Sequence, residues 1–186
     1  MYYINCFFLY SILGFLLESF IYKFINSSNH SGFLYGPITP IYGIGALIII
    51  IINTKIINKL NLNKALKTFL QFIIFMIALT AIEFLGGYLL KKVLDIELWN
   101  YSNKEYKIGK YICLELAIIW GIMGVIASYV IIPFFAKFIK KFPKKATYII
   151  IFIFVIDLLF TVFREFSKIN LTILVSIWSY NKTPFF

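Results

Sequence analysis

The chain has 186 residues, 61% hydrophobic and 20% aromatic, with 18 Lys and Arg against 8 Asp and Glu for a formal charge of +10. Soluble domains are about 45–50% apolar, so this composition and a mean hydropathy of +0.89 exclude an ordinary water-soluble domain. No polar stretch is long enough to carry a nucleic-acid-binding module; nucleic acid is not an expected partner, and the lysines are assigned to loops facing anionic headgroups.

A helix needs about 20 mostly apolar residues to cross the hydrocarbon. Five segments qualify, at 2–25, 39–57, 67–91, 111–139 and 145–167, and predict an all-α integral membrane protein, a single bundle over 1–167. The first apolar run begins at once and lacks a basic leader, so no cleavable signal is expected. Residues 168–186 form a tail whose apolar patch, LTILVSIW at 171–178, is too short to span and suits the interface. Loop 54–67 holds Lys55, Lys59, Lys64 and Lys67, and loop 137–145 holds Lys137, Lys140, Lys141, Lys144 and Lys145, without an acid in either. Their clustering places these loops, and the N-terminus, in the cytoplasm. The other side carries Lys23, Lys91, Lys92, Lys104, Lys107, Lys110, Arg164, Lys168 and Lys182, an equal number, so the orientation rests on clustering in short loops. Parity, independent of orientation, puts the 26–38 connection, the 92–110 connection and the end of span five on one side.

Between spans one and two lies GFLYGPITPIYG (32–43). Gly36 and Pro37 interrupt helix, whereas Pro40 suits a first helical turn. Irregular backbone at membrane depth survives only against protein or a wet cavity, so this segment is expected to be an interfacial or re-entrant elbow. Tyr35 and Tyr42 present apolar rings with hydroxyls able to reach a partner.

Ionisable groups inside spans are costly and mark function. Glu18, Glu83 and Glu115 all fall in the leaflet nearer the elbow. Ser11, Gly14 and Glu18 lie at i, i+3 and i+7, and Thr80, Glu83 and Gly87 repeat that spacing, one helix face each. The small residues give neighbouring helices room to approach. Glu115 points away from the small face Ala117, Gly121, Gly124 and Ser128, and an ion pair with Lys110 is expected for it. Asp157 and Arg164 share a face of span five about 10 Å apart, each expected to meet another helix. IYGIG (41–45) and IWGIMG (119–124) further suggest that spans one–two and three–four form a degenerate parallel repeat.

No metal or cofactor is expected. His30 is the single histidine, Cys6 and Cys113 are isolated, and no phosphate-binding G-x-x-x-x-G-K-[ST] occurs.

These motifs together resemble the ABC-transporter type IV permeases, the CmpB-like membrane proteins of bacteria. The resemblance covers about 8–125: Ser11, Gly14 and Glu18; the GFLYGPITPIYG elbow; Glu83, Phe84 and Gly87; WNYS at 99–102; and Gly109 with ICLELAIIWG at 112–121. Asn100 stands where the family usually has Asp, which preserves hydrogen bonding but not charge. The resemblance implies a permease-like subunit in a bacterial inner membrane, with a separate ATPase or other membrane subunit as partner. Five helices make a thin wall for a path, so a homo-oligomer is a further expectation. The residues expected to bind a small polar or cationic solute or lipid headgroup are Glu18, Glu83, Tyr35, Tyr42, Trp99, Tyr101, Glu115 and Arg164. Gly36, Pro37, Pro40, Gly43, Gly87 and Gly121 are assigned structural roles. No catalytic residue is assigned, since no nucleophile–base pair is evident. A membrane enzyme acting on a lipid or envelope precursor through Glu18 or Glu83, and a non-catalytic assembly or sensing subunit, are the alternatives.

Overall fold

Five helices in the computed structural model are long and apolar enough to cross a bilayer: Tyr2–Phe24, Pro40–Lys59, Lys64–Leu94, Leu114–Lys141 and Lys144–Leu171. At 1.5 Å per residue the shortest is about 30 Å long, the thickness of the hydrocarbon layer. The structure describes residues 1–24 and 32–180, with side chains as far as Leu171; His30, Lys182 and the end of the expected tail lie outside the described residues. Helix α1 is Tyr2–Phe24, α2 Pro40–Lys55, α3 Lys64–Leu94, α4 Leu114–Ile126, α5 Ile132–Lys141 and α6 Lys144–Tyr180. The backbone of α6 continues unbroken through 171–178, the stretch whose sequence suggests an interfacial patch.

Two α-hairpins, α1 with α2 and α3 with α4, make up the body of the bundle. These helices are apolar nearly all round, so hydrophobicity alone does not choose the faces that meet. Close approach at small residues does. A Cβ on Gly43 would overlap Ser11 and lie 2.5 Å from the Phe7 carbonyl, and one on Gly14 would overlap the Tyr42 ring. In the second hairpin a Cβ on Gly121 would lie 2.7 Å from the Phe72 ring and 3.1 Å from Met76, and one on Gly124 would lie 2.7 Å from Phe75.

The contacts of the two hairpins share one register. Gly43 meets Phe7 and Ser11; Gly121 meets Phe72 and Met76. Ala46 shares a core cluster with Tyr10, as Gly124 abuts Phe75. Tyr42 covers Gly14, and Trp120 packs in the cluster of Leu79. Glu18 bonds to Tyr42, and Glu83 to Trp120. Every α1 residue named here is displaced from its α3 counterpart by the same number of positions, and every α2 residue likewise from its α4 counterpart. The two hairpins are thus a degenerate repeat at the level of packing, extending well beyond the two short sequence matches.

Span four is interrupted at Pro133. It supplies no N–H one turn back, and the chain widens into a π turn over Ala127–Ile131, with the Ile132 N–H donating to the Ala127 carbonyl five residues earlier. Beside this turn Asn53 donates to Ser128 at 2.6 Å and Gln71 donates to Asn53 at 2.8 Å, a half-buried polar tie among α2, α3 and span four. Helix α6 lies outside the hairpins and joins α1 through a bond from Thr147 to Asn5 at 2.7 Å. Its remaining surface is largely exposed apolar side chains such as Phe152 and Phe163, as lipid contact requires.

The 95–113 connection is an ordered lobe. Asp95 ends α3 with a left-handed backbone, φ 54°. Lys107–Ile108 (β1) pairs antiparallel with Ile112–Cys113 (β2) around Gly109, whose φ of +65° suits glycine. The Tyr101 N–H donates to the Lys110 carbonyl at 2.7 Å. Asn100 Oδ1 accepts the Ser102 N–H at 2.8 Å, an Asx-type turn that needs an acceptor oxygen and no charge. That accounts for asparagine serving at this position.

Candidate functional site

The elbow is irregular backbone, so its N–H groups have no helical partners and must find others. Each does. Tyr35 and Gly36 donate to the Asp157 carboxylate at 3.1 and 2.9 Å. Pro37 has no N–H. Ile38 donates to the Gly36 carbonyl at 2.8 Å and Thr39 to the Ser11 carbonyl at 3.1 Å. Gly36 is small because a Cβ there would sit 2.9 Å from the Asp157 oxygen. The sequence marks Asp157 as polar at depth but carries no hint that its partner is the elbow backbone. Pro40 then opens α2 in its first turn, turning the following face of α2 toward α1 and α3.

Tyr42 and Tyr35 separate at this point. Tyr42 packs inward over Gly14, donates to Glu18 at 3.1 Å, and lies 5.9 Å from the Trp120 ring, centroid to centroid. Tyr35 faces outward, 57% exposed, with its ring against Phe160 and beneath the Arg164 guanidinium at 4.3 Å. Arg164 also pairs with Glu165 at 2.5 Å. Tyr35 and Arg164 thus clasp the elbow to α6 and stand apart from the Glu83 group.

Glu83, 4% exposed, is the most enclosed carboxylate of the group. Tyr101 donates to one oxygen and Trp120 Nε1 to the other, each at 2.8 Å. Gly87, one turn further along α3, makes the lobe's approach possible: a Cβ there would lie 2.8 Å from Tyr111 and 3.2 Å from Trp99. Trp99 therefore packs against the Gly87 backbone, one turn from Glu83, while Tyr101 reaches the carboxylate. Burial, then the neighbouring Glu83 charge, pushes the Tyr101 phenol well above its ordinary value, so it remains a donor throughout the physiological range. Burial likewise raises the Cys113 thiol.

Below this cluster, α1, α2, α3 and span four line a half-open cavity of about 390 Å³. Its walls are hydrocarbon and aromatic: Leu13, Ile41, Ile49, Leu79, Met123 and Phe135 among them. Glu83, Tyr42 and Trp120 form its polar edge, and Glu83 is the single carboxylate among the lining residues. Glu18, half-buried, stands behind Tyr42 and does not line the cavity. The cavity is therefore far less polar than two facing carboxylates would make it.

Glu115 is not part of this group. Its side chain is 47% exposed and 4.0 Å from Lys104, whereas Lys110 lies 3.9 Å from Glu97. The expected Glu115–Lys110 pair is not formed, because the β1–β2 hairpin carries Lys110 back over the end of α3. Trp120, absent from the expected site, is its second donor. The signal was present in the match of IYGIG to IWGIMG, which aligns Trp120 with Tyr42. Among the described residues no cluster of His, Cys, Asp or Glu could hold a metal ion.

Neither a curated protein nor a solved structure matches the chain. The model of one family, whose description is Putative ABC-transporter type IV, matches residues 5–163, and the chain belongs to that family.

Proposed function

We propose that the chain is a membrane subunit of a transporter, with its solute site where Glu83, Tyr42, Trp120 and Tyr101 border the four-helix cavity. The observation that carries this reading is the enclosed Glu83 carboxylate. Burying such a group in an apolar bundle is costly, and here it is held by two neutral donors at the rim of a space large enough for a ligand. Cavities of about 300–1,000 Å³ with a few convergent polar groups are typical ligand sites. The walls call for a solute with an apolar portion, and the carboxylate binds its polar or cationic end, whether free or a lipid headgroup. Trp99 packs the lobe against Gly87, one turn from Glu83, and Asp157, Tyr35 and Arg164 hold the elbow that aims Tyr42.

In this reading the lysine-rich loops 54–67 and 137–145 face the cytoplasm of a bacterial cell, and the elbow and the 95–113 lobe face the exterior. An ATPase partner would contact those two short basic loops, and a second copy or another membrane subunit would complete the path. The test is binding and transport in proteoliposomes. Glu83→Gln is expected to abolish saturable solute binding and Glu18→Gln to weaken it; unchanged behaviour in both variants would sink the assignment.

A further inference from the structure

The chemistry of the ligand follows from the repeat and the cavity taken together. The repeat makes Glu18–Tyr42 and Glu83–Trp120 equivalent: an acid in the second half of each hairpin's first helix, bonded to a ring on the second. The two rings lie 5.9 Å apart between their carboxylates, at the edge of the cavity. Of these two carboxylates Glu83 borders the apolar space, while Glu18 holds Tyr42 from behind.

Four ligand classes can be set against this arrangement. An anion meets the Glu83 carboxylate. A hard metal cation needs six or more oxygen ligands, and the walls are hydrocarbon. A sugar-like solute needs many hydrogen-bonding groups, and the cavity offers few. An organic ammonium ion meets none of these objections. Its hydration weakens as carbon replaces hydrogen on the nitrogen, its carbon substituents suit the walls, and aromatic faces attract it. Glu83 also has capacity to spare, since an ionised carboxylate has about four acceptor positions and its bonds from Tyr101 and Trp120 use two of them. Both donors are neutral, so the carboxylate lacks a counter-charge among the described residues.

We propose that the cavity binds an ammonium group carrying hydrocarbon, seated against Tyr42 and Trp120 with Glu83 as its counter-ion. The proposal rests on the reading of this cavity as the solute site and deepens it. The ammonium could belong to a free amphiphilic amine or to an aminophospholipid headgroup.

The experiment uses the full chain in nanodiscs of an uncharged glycosyl diacylglycerol, titrated calorimetrically with octyltrimethylammonium, octanol and octanoate, with empty nanodiscs subtracted. Saturable binding of the cation, with octanol and octanoate at least about tenfold weaker, is expected. Glu83→Gln should weaken the cation about 100-fold, as loss of a buried counter-charge implies, and leave octanol nearly unchanged. Equal binding of all three, or binding of octanol alone, overturns the ammonium assignment while leaving the cavity as a solute site. Saturable binding of none overturns both. The charge series in the unaltered chain decides the matter even if Glu83→Gln fails to fold. Repeating the cation titration in phosphatidylethanolamine nanodiscs separates the sources: weaker apparent binding there places the ammonium on the lipid, and equal binding assigns it to a free amphiphile.

Discussion

Asp157 offers the sharpest test of how the elbow is held. Its carboxylate accepts the Tyr35 and Gly36 N–H groups at 3.1 and 2.9 Å, and these groups have no other partner in the elbow's hydrogen-bond pattern. A hydrogen bond to a charged group contributes about 1.5–3 kcal/mol. The Tyr35 bond is exposed to solvent and counts for less, so Asp157→Ala should cost the elbow about 2–4 kcal/mol locally. Asp157→Asn keeps one acceptor oxygen and should lose about half of that. Hydrogen exchange read by mass spectrometry is the appropriate assay, because local opening need not unfold the bundle. At tenfold per 1.4 kcal/mol, protection of the 32–39 peptide should fall roughly 30- to 700-fold in Asp157→Ala, with a smaller fall in Asp157→Asn. The buried segments of α3 should be unaffected. Unchanged protection of 32–39 in Asp157→Ala would show that the carboxylate does not hold the elbow, and the account given for its backbone would fail.

Other outcomes follow from the same geometry. Tyr101 has a raised phenol value in the folded chain, so the protonated form contributes stability that is complete below the ordinary value of 10.0 and is lost as pH rises above it. Unfolding monitored against pH should show that alkaline loss, and Tyr101→Phe should reduce it; an identical alkaline profile in the variant would refute the assignment. The paired glycines should differ in cost. Gly43→Ala meets the Phe7 carbonyl, which is backbone, whereas Gly121→Ala meets the Phe72 ring, which can move. Overpacking costs about 1–3 kcal/mol, with Gly43→Ala at the upper end and Gly121→Ala at the lower in detergent unfolding. A reversed order would contradict the packing register proposed for the two hairpins.

Much of the architecture is legible in the residues alone, because a bilayer leaves few options. Five apolar runs of sufficient length become five helices, since every backbone polar group in lipid must be satisfied internally. Parity then gathers the elbow, the 95–113 connection and Glu18 and Glu83 at one end without any knowledge of packing. Gly36, Pro37 and Pro40 announce the elbow because few conformations accommodate them in that order.

Which side chains meet was decided by tertiary structure. Helices apolar on nearly every face carry a thin rotational signal: the small residues of α1, α3 and span four mark faces that pack, but not which partner side chain each one meets. Close approaches at Gly14, Gly43, Gly121 and Gly124 set those pairings. They bring Trp120 to Glu83 and Tyr42 to Glu18, across 37 and 24 positions of chain. Asp157 reaches the elbow across 121 and 122 positions, a distance over which no local pattern operates. Glu115 shows the converse. Its spacing placed it opposite the small-residue face, but only the β1–β2 hairpin determined that Lys104 would stand beside it. The sequence by itself determined that Glu18, Glu83 and the elbow lie toward one end of the bundle, because five spans fix by parity which connections share a side. Only the packing of helix on helix decided that a single carboxylate, Glu83, would border an apolar cavity.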